Sequence, residues 1–207
     1  MGHRIKASVA GFGRVLTWKD FKHLNPHSVD PKSKFDAHSF IEIGCYFQPV
    51  PLSMDEWTLK GIHVSVKLNR GKSWVRSGKE TPELLRHEQL HYMIASIAGR
   101  QLCLALAKLR ARSNQQVQLA CRQLTTKLIG DLNKKDDYGL YGEVQDRYDE
   151  AFTTGTKHGL STHFQILWDH QITHVHGDPH GTLEDLDSFL VPGDFESDAP
   201  AMRSSAA

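Results

Sequence analysis

His87-Glu88-Gln89-Leu90-His91 combines residue types and spacing that can do chemistry together. On a helix, side chains four residues apart lie about 40° apart around the axis, so the two imidazoles point the same way. Two imidazoles on one face can grip one zinc ion. Glu88 beside them can then act as general base on a zinc-bound water.

The motif needs a helix to carry it, and the flanking residues supply one. Thr81 can cap the N-terminus, Pro82 suits the first helical position, and Glu83 favours the positive end of the helix dipole. From Leu84 to Arg112 there is no proline and only one glycine, Gly99, which predicts a long helix. At 3.6 residues per turn, Leu84, His87, His91, Ile94, Ala98, Leu102, Ala105 and Leu109 fall on one stripe. The histidines therefore belong to the core-facing side. Three polar groups buried there are costly unless something satisfies them, and a divalent cation would.

Composition bounds the rest. A chain of 207 residues suits one sizeable core, and 39% hydrophobic with 24% charged residues suits a globular protein. A formal net charge of +1 does not point to a dedicated binder of nucleic acid or membrane surfaces. Cys45, Cys103 and Cys121 are an odd number without a CxxC pair, so free thiols are expected rather than a disulfide framework or thiolate ligation of the metal. No run of 18 apolar residues predicts a membrane span. Met1 to Arg14 lacks an apolar signal core, so the expected location is cytoplasmic unless the chain is a mature or trimmed form of a secreted or periplasmic protein.

Along the chain the pattern is β-rich first and α-rich second. Arg14 to Trp18 reads as a short strand. Phe40 to Phe47 alternates, and Ile62, Val64, Val66 and Leu68 alternate with polar residues as a half-buried strand. Asn69 to Lys72 reads as a turn before Ser73-Trp74-Val75. Further helices are expected over about 114–132, 142–152 and 160–171. The fold class expected is α+β, with a small antiparallel or mixed sheet packed on the HExxH helix, a mainly helical C-terminal half and a zincin-like arrangement. By analogy of architecture, the strand over Ile62 to Leu68 is the candidate edge on which a peptide could pair. Beyond Thr173 the residues turn to Gly, Pro, Asp and Ser, so 173–207 is expected to be an extended or weakly ordered tail after a domain at 14–172. His174, His176 and His180 in that tail read as solvated, or as an adventitious metal site.

The segment Leu84-Leu85-Arg86-His87-Glu88-Gln89-Leu90-His91-Tyr92 resembles the LLxHEQxHF stretch of a bacterial domain-of-unknown-function family, number nine hundred and twenty-two of that series, regarded as zinc-dependent proteases. Leu16-Thr17-Trp18-Lys19-Asp20-Phe21 is similar to its LTWxDF, and Ser73-Trp74-Val75 to its SWV. Tyr148-Asp149 followed by Thr156-Lys157-His158-Gly159 is similar to its YD…TxHG, with Ala151 to Gly155 as a small insertion. The similarity runs from about residue 14 to 172. It implies a zinc metallopeptidase-like fold acting on a peptide or protein substrate.

Catalytic zinc usually takes three protein ligands. The TxHG match points to His158 as the third, before a glycine that permits close backbone approach. Asp149 and Glu150 are the alternatives. With His158 bound, Asp149 would orient an imidazole instead. Tyr148 is a candidate donor to the tetrahedral oxyanion, with core packing as its other reading, and Tyr92 reads as packing. The expectation is a zinc hydrolase, foremost a metallopeptidase. A hydrolase of another amide or ester, or a zinc-stabilised binding domain without activity, are the alternatives. Oligomeric state and substrate preference are not encoded in any of these patterns.

Overall fold

The computed structural model describes residues 6–25, 35–131, 139–150 and 162–188, with the backbone alone at 150 and 162–165. It is an α+β arrangement. In chain order come β1 (Ala7–Ala10), a single 3-10 turn (Trp18–Asp20), β2 (Lys22–Leu24), β3 (Ala37–His38), β4 (Ile41–Pro51), β5 (Trp57–Leu68) and β6 (Trp74–Arg76). Then follow α1 (Pro82–Lys108), α2 (Asn114–Ile129), α3 (Gly139–Glu150), α4 (Thr162–Gly177) and α5 (Leu183–Asp187).

The strands make two small mixed sheets rather than one. Their orders are β1-β5-β4 and β2-β6-β3, each with one parallel and one antiparallel pairing. In β5 the alternation is as the sequence predicts, with Ile62, Val64, Val66 and Leu68 buried. Its place in the sheet corrects an expectation, because β5 is the central strand and not an edge. Alternation reports which faces are buried and is silent on which strands flank it. The expected strand at Arg14 to Trp18 is also absent. There Leu16 N donates to Gln89 Oε1 (2.7 Å) and Thr17 N to Asp20 Oδ2 (3.0 Å). Side chains take the bonds that a neighbouring strand would have taken.

Helix α1 begins as its sequence prescribes, with Thr81 Oγ1 accepting from Leu84 N and Pro82 in the first turn. From Tyr92 to Gly99 it is buried almost all round, held between the sheets and the later helices. Gly99 permits the close approach to β5, since a Cβ there would meet Val66 Cγ2 at 2.7 Å. By length and composition α1 could cross a bilayer, but 67% of its most apolar window is buried inside the fold. It is the core helix of this domain. It stops at Lys108 rather than Arg112 because Ala111 pairs with Trp57 through N–H···O bonds of 2.7 and 3.0 Å, which draws the chain into an extended path.

The expected tail boundary at 173 is corrected by the structure. Helix α4 runs on to Gly177, burying Ile172 and Val175, and α5 buries Leu183 and Leu186. Arg100 of α1 donates to the carbonyls of Val175, His176 and Gly181, each at 2.8 Å, satisfying the exposed end of α4. Gln101 accepts from Leu183 N, and a Thr182–Asp185 capping box starts α5. Turn-forming composition concealed these anchors, because few apolar residues suffice when they reach the core. His176 is likewise no solvated histidine, for its ring stacks on Phe12 at 4.3 Å. Residues 189–207 lie outside the described residues.

Removing the Leu183 side chain from this core should cost about 2–5 kcal/mol. Leu183→Ala is therefore expected to lower the melting temperature by several degrees, as is truncation before that residue. An unchanged melting temperature in both variants would detach α5 from the core.

Candidate metal centre

Two helices meet at the motif. Helix α1 presents His87 and His91 one turn apart, and α3 crosses them carrying Tyr148 and Asp149. His87 Nε2 and His91 Nε2 are 3.1 Å apart, and Asp149 Oδ1 is 3.3 Å from the first and 3.0 Å from the second. Tetrahedral zinc with bonds of about 2.0–2.1 Å separates its ligand atoms by about 3.3 Å. The triangle thus has close to the dimensions a small divalent cation requires. Asp149 keeps 33% of its side chain exposed, against 8% for His87 and 12% for His91, so the site is reached from the Asp149 side.

The surrounding groups orient these donors. His91 Nδ1 is hydrogen-bonded to Gln145 Oε1, while Gln145 Nε2 donates to the His91 carbonyl at 3.0 Å. Tyr148, fully buried, stacks on the His87 ring at 4.8 Å and meets His91 edge-on at 4.8 Å. Its hydroxyl donates to the His87 carbonyl at 3.4 Å, and Trp168 of α4 packs against its other side. Beneath, Asp169 of α4 pairs with Arg86, tying α4 to the start of α1.

Electrostatics couple the three donors. Burial works against a charged carboxylate at Asp149, but the two imidazoles outweigh it and hold the group well below the usual carboxylate range. Burial likewise disfavours charge on His91, and Asp149, Glu88 and Gln145 overcome it and push His91 up to about 9. His38 at the end of β3 is near enough to sense both groups. Burial and then His91 lower its pKa, partly countered by Asp149.

Glu88 is buried at 3% exposure, and its Oε2 has no hydrogen-bond partner among the described residues. Burial raises its pKa, with Asp149 adding to the rise and with His91 and Ser39 opposing it. A buried carboxylate with an unsatisfied oxygen beside a cation-sized triangle is arranged to accept a proton.

The structure brings His87 and His91 together with Asp149 as a third convergent donor, and Glu88 lies near enough to His91 and Asp149 to sense both. His158 lies outside the described residues, as does the side chain of Glu150. Tyr148 is placed at the site, with its ring as a wall and its hydroxyl on a backbone carbonyl. Gln145 and Ser39 are neighbours that sequence reasoning missed. Gln145 had a usable signal, for it lies one helical turn before Asp149 and so shares its face. Ser39 lies between β3 and β4, far away in sequence, and had none. No family model matches this chain, nor does any curated protein or solved structure.

Zinc titration should give about one ion per chain, lost in His87→Ala, His91→Ala and Asp149→Ala. Retained zinc in Asp149→Ala together with loss in His158→Ala would transfer the third position to His158. The pH dependence has a definite sign. Below about 9 the metal-free His91 carries a proton that a cation must displace. Apparent affinity should therefore rise about tenfold per pH unit on approaching that value and level off above it. A flat profile near neutrality would show that no such proton is displaced.

Proposed function

We propose that this protein is a zinc-dependent hydrolase, most readily a metallopeptidase, in which Glu88 is the general base. The observation that carries the proposal is the buried, partly unsatisfied carboxylate of Glu88 next to three convergent ligand atoms. A purely structural zinc needs ligands and no base.

Zinc held by His87, His91 and Asp149 would supply a Lewis acid that acidifies water and polarises a carbonyl. The chain's own residues account for the remainder. Glu88 takes the proton of the attacking water as its oxygen bonds to the carbonyl carbon. Glu88 then returns that proton to the leaving nitrogen as the C–N bond breaks. The raised proton affinity of Glu88 suits both halves of this exchange, since a carboxylate with an ordinary pKa is a weaker base near neutrality. Tyr148 and Trp168 keep the imidazole side dry, which strengthens the charge interactions there. The resemblance of residues 84–92 to a family regarded as zinc proteases favours a peptide bond over another amide or an ester.

Glu88→Gln tests the assignment. The variant should keep its zinc and its fold while losing hydrolysis by about 10²–10⁴-fold, the range that general-base catalysis contributes. A panel of unstructured proteins, peptides and simple esters gives the substrate class. Wild-type rates in the Gln variant would falsify the role of Glu88, and loss of zinc would make Glu88 a ligand.

A further inference from the structure

We propose that Gln145 is a positioning residue that fixes the tautomer of His91 and so decides which ring nitrogen faces the metal. The inference rests on the metal-site reading above. The site carries it through a chain of three hydrogen-bonding constraints, each of which leaves the next group one choice.

The first link is the His91 backbone carbonyl, which can only accept. Gln145 meets it at 3.0 Å, so the end of the amide pointing there must be the NH2. That orientation turns Oε1 toward the imidazole, where it is hydrogen-bonded to His91 Nδ1. Oε1 also can only accept, so Nδ1 must hold a hydrogen. With Nδ1–H committed to Gln145, a metal ion on the ring takes the Nε2 lone pair, whereas without one the Asp149 carboxylate draws a hydrogen to Nε2 as well. This is the atom 3.1 Å from His87 Nε2 and 3.0 Å from Asp149 Oδ1. A rigid backbone group thus dictates the metal-facing side of the ring through one side chain.

Charge accounts for an amide in this role. Ligating imidazoles often lean on a carboxylate, yet the Asp149 and Glu88 carboxylates already lie beside His91. A third carboxylate would repel them in a buried site, and an amide orients the ring without adding charge. Placement contributes too. Gln145 and Asp149 are one turn apart on α3, so the helix that delivers a ligand also delivers the group that aligns another one.

Two variants separate orientation from packing. Gln145→Leu keeps similar bulk but offers no acceptor, and Gln145→Glu keeps an acceptor for the ring. Zinc affinity, read by competition with a chromogenic chelator, should fall about 10–100-fold in Gln145→Leu and by clearly less in Gln145→Glu, which keeps the ring's acceptor while losing the amide donor and adding a charge. The tautomer is read directly from long-range proton–nitrogen-15 spectra of the His91 ring, in zinc-loaded protein and in metal-free protein at alkaline pH. Zinc-loaded wild type should show hydrogen on Nδ1, and in metal-free protein Gln145→Leu should hold less hydrogen on Nδ1 than wild type. Equal zinc affinity in Gln145→Leu and wild type would overturn the proposal, as would equal losses in both variants. A zinc-loaded wild-type ring with its hydrogen on Nε2 would do so even if a variant failed to fold. Should wild type bind no zinc, the metal-site reading fails, and equal Nδ1 hydrogen in metal-free wild type and Gln145→Leu would still overturn the role of Gln145.

Discussion

Two imidazoles and a carboxylate on the buried side of a core helix are a debt of solvation, and meeting it shapes the structure around α1. Transferring such groups out of water costs several kcal/mol each unless partners replace the lost hydrogen bonds. His87 and His91 recover theirs from Asp149, and His91 also from Gln145. Both partners come from α3, so the packing of α3 across α1 is tied to the chemistry of the site. Removing Asp149 would leave two buried imidazoles facing one another at 3.1 Å without the carboxylate that favours charge on them.

Glu88 differs from the imidazoles in one respect. Its Oε2, like Ser39 Oγ and Trp168 Nε1, has no hydrogen-bond partner among the described residues. Natural cores rarely tolerate such an atom without a use for it. The surrounding wall of Tyr148, Trp168 and the imidazoles keeps the local dielectric low, which raises both the cost of the unsatisfied oxygen and its readiness to take a proton. Stability and reactivity here have the same physical origin.

The scaffold holds α1 from both sides. Gly99 lets β5 approach closely, and the Tyr92 hydroxyl, bonded to the carbonyls of Val66 (2.8 Å) and Gly11 (3.0 Å), pins the sheet to the turn after β1. On the other side Arg100 gathers the end of α4 and the start of α5. A site placed on the middle helix of such a sandwich has little freedom to shift, which is what a preorganised constellation needs.

Local patterns determined the elements that depend on local forces. Helix α1, its cap at Thr81, the pairing of His87 with His91 on one face and the alternation in β5 all follow from interactions within a few residues. Those forces act identically wherever the segment sits. The third donor, the amide that orients His91, the central place of β5, the end of α1 at Lys108 and the docking of α5 were decided only in three dimensions. Asp149 meets His87 across sixty-two positions of chain, and Ala111 meets Trp57 across fifty-four. Nothing in the local spacing encodes such meetings. They depend on which packing of whole elements satisfies the buried polar groups, and that is a property of the assembled core.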